Sequence, residues 1–248
     1  MKKSVVLTLI IIVLLIPATL YLGSQLSGRW YYLTSTLMVL EMMVPFFAAF
    51  ETRKPQAREL VTLAVLSALA AVSRAAFAFI PHFKPITAII MMTGIAFGPE
   101  AGFLTGAVSA FASNFMFGQG PWTPWQMMAY GVGGFLAGLL FYNRKLTKKP
   151  LLNAAILAVF GFFTILFLVG PLLDCCTIFT MSTKLTPALA AAVLASGLPV
   201  NVTHGISCAV TLLLFSNPLL GKLERLKTKY GMMEASTQLR VNRKRNQI

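Results

Sequence analysis

Few side chains in this sequence are able to bind or react, and their positions stand out. Arg74 lies inside an apolar run, where an ionisable group costs on the order of 2.5–3.5 kcal/mol to insert and therefore points to function. His82 and Lys84 follow that run, and Asn114 ends a later one. Gln119, Trp122, Trp125 and Gln126 belong to the stretch FGQGPWTPWQMM, and Asn201 and His204 come just after Pro199. These residue types recognise rather than react: cations and amides fix the polar edge of a ligand, and indole faces stack on a flat ring. Reactive sets are missing. No HExxH, paired CxxC, GxSxG or Walker A sequence occurs, so metal hydrolysis, serine chemistry and nucleotide hydrolysis have no anchor. Two histidines with Asp174 as the only acid on their side make no metal set. Adjacent Cys175 and Cys176, with Cys208 apart, make no disulfide framework. The chain is therefore read as a non-enzyme with no metal or cofactor.

The elements that must hold these groups are membrane helices. The 248 residues are 57% hydrophobic and 11% charged, with mean hydropathy +0.76, against roughly 25% charged in soluble domains. That excludes a disordered tail, a disulfide-built secreted module and a water-soluble globular fold. Apolar runs long enough to cross about 30 Å of hydrocarbon cover 5–22, 30–50, 60–80, 101–117, 125–142, 151–173 and 199–215. The run 86–97 is short, but Pro85 and the Pro99-Glu100 break bound it, and it makes an eighth. Residues 187–197 are apolar but too short to span, and are assigned to a surface or re-entrant helix.

Charge orients this array. With eight spans, Lys2, Lys3, Arg53, Lys54, Arg58, Arg144, Lys145, Lys148, Lys149 and eight basic residues of the tail fall on one side, seventeen in all. Arg29, Lys84 and Lys184 fall on the other. The positive-inside rule then puts both termini in the cytoplasm. The formal charge of +14 thus reports topology and requires no nucleic acid. All the candidate binding residues lie in the outer half. Two bland readings compete with binding: Arg74 snorkelling to the interface, and the tryptophans forming an aromatic belt. The basic tail, 217–248, is either a solvated helix end or a contact for anionic lipid headgroups or a cytoplasmic partner. Met1-Lys2-Lys3 before the first run also fits a signal peptide. Without a convincing cleavage site, a retained helix is the reading preferred.

Small residues recur at helical spacing. Gly94, Gly98, Gly102, Gly106 and Ala110 form one series and Gly131, Gly134 and Gly138 another, both suited to close helix packing in lipid. The break at Pro99-Glu100 reads as a very tight turn between two helices, with Pro99 at a first helical position and Glu100 at the positive end of the following helix. Ala64, Ala68, Ala71 and Ala75 share a helix face, available for internal packing or for docking another membrane protein. Glu41, inside the second run, is the one membrane carboxylate on which a proton-coupled carrier could depend.

Three segments carry a resemblance. AVLSALAAVSRAAFAFIPHFKPITAIIMMTG, FGPEAGFLTGAVSAFASNFMFGQGPWTPWQ and GLPVNVTHGISCAVTLLLFSNPLLGKLE occur in that order. Together they make the stretch from Arg58 to about Lys227 resemble the substrate-binding (S) component of energy-coupling factor (ECF) vitamin transporters. The resemblance implies an all-α polytopic membrane protein with a six-helix core (58–216), cytoplasmic termini and a ligand cup open to the outside. Residues 1–57 depart from it as two extra N-terminal transmembrane helices. In that family an AxxxA face, matched by Ala64 and Ala68, docks on a transmembrane coupling protein, and a separate pair of ATP-binding cassette ATPases drives import. The implied ligand is a vitamin or precursor held near Arg74, Asn114, Trp122, Trp125, Gln126, Asn201 and His204. The GPWTPWQ loop looks most like members associated with cobalamin or related corrinoids, with riboflavin next. A stand-alone secondary carrier using Glu41, or a membrane enzyme, is the alternative.

Overall fold

A computed structural model describes residues 10–15, 18, 19, 21, 31–52, 55–142, 147, 149–181 and 186–232. The described residues are helical throughout, with no strand. After a π-helical turn, Ile11–Leu15, come α1 (Tyr31–Glu51), α2 (Ala57–Ala76), α3 (Ile86–Phe97), α4 (Pro99–Phe117) and α5 (Trp122–Phe141). Then follow α6 (Pro150–Thr164), a π-helical turn (Ile165–Val169), α7 (Gly170–Met181) and α8 (Pro187–Lys229). Among the described residues four helical stretches are long and apolar enough to cross a membrane: Leu33–Glu51, Ala57–Ala76, Pro150–Phe179 and Pro187–Lys229. The chain is thus an all-helical, multi-pass membrane protein. Most of the first predicted run, Arg29, Lys184 and the tail beyond residue 232 lie outside the described residues.

Two boundaries differ from the sequence expectation. The run 151–173 does not stop there; it continues through the π turn into α7 as far as Met181. Residues 187–197 are not a separate surface or re-entrant helix but the first turns of α8, a 43-residue helix about 64 Å long. Pro199 reads in sequence as a break. Inside α8 it forfeits a single backbone hydrogen bond, and the helix starts earlier because Thr186 caps it, accepting from the Leu189 N–H at 3.2 Å.

Close backbone approach between α3, α4 and α5 organises the centre. A Cβ on Gly106 would meet the Tyr130 carbonyl oxygen and the Gly131 nitrogen at 2.6 Å, and one on Gly138 would meet Pro99 at 2.6 Å. Gly94 and Gly102 both face the Gly134 carbonyl. The two glycine series therefore pack on each other, the use expected of small residues in lipid. Gly98 alone separates α3 from α4, with φ of +102°, a conformation that suits glycine. Pro99 and Glu100 occupy the first turn of α4.

The bundle has two chemically distinct ends. At one, Phe50, Leu63, Leu66, Phe97, Ala101 and Leu223 form an apolar cluster beside the Gly98 turn. There Lys227 donates to the Ala96 carbonyl at 3.4 Å and lies over the Tyr142 ring at 4.8 Å. At the other end lie the segment after α2 and the 118–121 loop. Helix α1 packs on the core: Phe46 stacks on Phe103 with centroids 4.1 Å apart and meets Phe135 edge-on.

Candidate functional site

Arg74 is half-buried in the last turn of α2. Its Nη1 donates to Ser113 Oγ at 2.7 Å and to Asn114 Oδ1 at 2.9 Å, both on α4, while the guanidinium lies 4.5 Å from the Phe117 ring centroid. The guanidinium is thus held within the bundle instead of snorkelling. Asn114 is completely buried and uses both ends of its amide: Nδ2 donates to Thr123 Oγ1 at 3.0 Å and to Gln126 Oε1 at 2.9 Å. Thr123 donates to Gln119 Oε1 at 2.9 Å, and Gln119 Nε2 donates to the Phe111 carbonyl at 3.0 Å. One network therefore joins α2, α4, the 118–121 loop and α5. A buried, mutually satisfied network of this kind fixes side-chain orientation.

His82 and Lys84 approach Arg74 from the segment after α2. With Phe77, Phe83 and Phe117 these three basic residues line a partly open hollow of about 120 Å³. His82 is exposed and has φ of +61°, uncommon for a residue with a side chain.

Asn201 and His204 face different partners. Asn201 Nδ2 donates to Asp174 Oδ2 at 2.8 Å, so α7 and α8 are tied by a charge-assisted bond, and the Asn201 amide packs against Gly170. His204 Nε2 is 3.2 Å from Thr87 Oγ1 on α3, and its ring meets Tyr130 edge-on at 6.0 Å. The Tyr130 hydroxyl is buried without a hydrogen-bond partner among the described residues.

The two tryptophans separate. Trp122 is 44% exposed, whereas Trp125 is 7% exposed and stacks on Phe179 of α7 at 5.7 Å, in a cluster that includes Val39 and Met43 of α1. The alanine face also divides. Ala64 and Ala68 are exposed beside exposed Val61, Val65 and Leu69, while Ala71 is buried and Ala75 half-buried. Glu41 Oε1 accepts from Thr19 at 2.6 Å, and Oε2 is buried without a partner among the described residues.

Sequence reasoning passed over Ser113, Thr123, Thr87, Tyr130 and the phenylalanines of the hollow. Ser113 neighbours Asn114, and Thr123 lies within the aromatic loop, so proximity was the available signal for those two. Thr87 and Tyr130 carry none, because only the bundle brings their helices to His204. Asp174 stood out as the lone acid on that side, but not as the partner of Asn201.

The fold and the site define a multi-pass helical membrane protein in which Arg74, Asn114, Gln119, Thr123 and Gln126 form one polar network beside a hollow. Residues 54–220, about two thirds of the chain, match the family described as "ECF-type riboflavin transporter, S component", and the chain belongs to that family of ECF S components. Similar curated proteins include the folate transporter FolT of Streptococcus mutans, 32% identical over 43% of this chain and 61% of that protein. FolT of Clostridium novyi is 31% identical over 39% of this chain and 51% of that one. A UPF0397 protein of Aliivibrio fischeri is 29% identical over 42% and 63%. In each case the chain spans only half to just under two thirds of the relative's length. No solved structure matches.

Proposed function

We propose that this protein is the non-enzymatic substrate-binding subunit of an ATP-driven ECF-type importer, capturing a vitamin or precursor at the Arg74 end of the bundle. The observation that carries this reading is the convergence of Arg74, Asn114, Gln126, His82 and Lys84 around one network and hollow. At the end bearing the Gly98 turn, which lies in the predicted cytoplasm, the polar pairs include Arg58 with Gln56, Thr147 with Asn153 and Lys227 with Glu224, and the cluster beside the turn is apolar. His204, 3.2 Å from Thr87, and the Tyr130 hydroxyl, buried without a partner among the described residues, are further polar groups in the interior. Exposed Ala64 and Ala68 support docking of a transmembrane coupling protein on α2, with two ATPases attached to that partner. Small residues there let another helix approach closely.

The cobalamin expectation has no counterpart among the names above: the family description refers to riboflavin and the two FolT relatives to folate. A flat flavin- or pterin-type ring is therefore the preferred ligand. Titration of purified protein with riboflavin, folate, cobalamin, biotin and thiamin tests this. Binding of a flavin or pterin at micromolar concentration or below is expected; binding of none overturns the reading.

A second reading, a stand-alone carrier, draws on Glu41, whose Oε2 is buried without a described partner. Uptake that persists without the coupling protein and ATPases, and is abolished by Glu41→Gln, would favour the carrier.

A further inference from the structure

Three basic side chains, Arg74, His82 and Lys84, surround one hollow, and no carboxylate among the described residues lines it. Asp174, the one acid that the sequence places on this side, is engaged with Asn201. The rest of the hollow's lining is apolar: Phe77, Ala78, Ile80, Phe83 and Phe117. Arg74 is held in place by Ser113 and Asn114 through Nη1 alone, and neither acceptor carries charge. A guanidinium has five N–H donors in a rigid fork suited to a carboxylate or phosphate. Lys84 makes no hydrogen bond or ion pair among the described residues. Unneutralised cations clustered at the mouth of an apolar bundle repel one another, and an anion seated between them removes that cost. The aromatic walls alongside accept a flat ring.

We infer that the ligand joins a flat ring to an anionic group, a carboxylate or a phosphate, and that Arg74 and Lys84 hold this anion while the ring extends over the phenylalanine walls. The inference rests on the substrate-capture reading and narrows it. It disfavours neutral solutes such as free riboflavin and favours a phosphorylated flavin or a pterin bearing a carboxylate tail.

Two matched pairs test it, each sharing a ring and differing in the anion: riboflavin against flavin mononucleotide, and the dimethyl ester of folate against folate. With the full chain in phosphatidylcholine nanodiscs at low salt, the charged member of at least one pair binds about tenfold or more tightly, as charge-assisted bonds predict. The preference shrinks as ionic strength rises. In Arg74→Gln, and in Lys84→Gln in case the first variant misfolds, the charged member falls to the affinity of its neutral partner. Equal binding within both pairs, tighter binding of the neutral members, or a preference that survives Lys84→Gln in a folded protein overturns the inference and leaves substrate capture standing. The other source of such an anion is a lipid headgroup. If phosphatidylglycerol nanodiscs abolish the preference without weakening the neutral ligands, the hollow belongs to lipid and the inference fails. Binding of none of the four, with cobalamin, biotin and thiamin also inactive, overturns substrate capture itself.

Discussion

Arg74 Nη1 and Asn114 Oδ1 lie 2.9 Å apart across the interface of α2 and α4. Asn114 is fully buried, so its amide is both the acceptor that turns Arg74 inward and, through Nδ2, the donor that anchors Thr123 and Gln126. A single residue thus couples the basic hollow to the loop before α5.

Replacing Asn114 by Leu removes this link and leaves Arg74 with Ser113 alone. Loss of hydrogen bonds to a charged group costs about 1.5–3 kcal/mol each. The expected result is a lower thermal midpoint in detergent together with weakened ligand binding. A variant with the stability and affinity of the parent refutes the coupling.

The two tryptophans should behave differently. Trp125→Ala opens a cavity among Val39, Met43 and Phe103 and is expected to destabilise by about 3–5 kcal/mol, measured by thermal or denaturant unfolding. Trp122→Ala, at a half-exposed position, should leave the unfolding transition nearly unchanged while reducing affinity. Unchanged affinity returns Trp122 to the role of an interfacial aromatic.

Glycine contacts give a sharp contrast. Gly106→Ala drives a methyl into the Tyr130 carbonyl at 2.6 Å, whereas Gly221→Ala meets nothing within 4 Å. The first should cost several-fold in yield of folded protein, by about 1–3 kcal/mol of overpacking. The second, in a helix interior, should match or slightly exceed the parent, by about 0.5–1 kcal/mol. Size-exclusion profiles and unfolding midpoints distinguish them.

Ala64→Trp combined with Ala68→Trp alters an exposed face. Ligand binding should persist and co-purification with the coupling protein should disappear. A pair of substitutions that unfolds the protein would make the face part of internal packing.

Much of the scaffold was legible because membrane physics writes it into composition. Long apolar runs and glycines spaced by four predicted helices and close packing, and the Pro99-Glu100 break marked a tight turn, which falls at Gly98. Boundaries at proline were less legible. Pro199 looked like an end, but its cost is one backbone bond in a 43-residue helix. The continuation into α7 was hidden because a π turn leaves no residue signature.

For the site, sequence identified the polar residues of one end, since few charges survive in lipid without purpose. It did not say which of them meet. That Arg74 bonds Asn114 while Asn201 bonds Asp174, and that Trp125 is buried while Trp122 is exposed, depends on helix rotation and crossing. The same holds for Ala64 and Ala71, which share one face by spacing, although neighbouring helices cover it only in its second half.

The sequence by itself determined a helical membrane protein, its family and the residue types available for recognition, because hydropathy and local spacing are properties of the chain alone. Tertiary structure decided the partners: it turned Arg74 from the lipid interface to Ser113 and Asn114, and gathered His82 and Lys84 beside it. Distances between separate helices are set by packing, which no local pattern encodes.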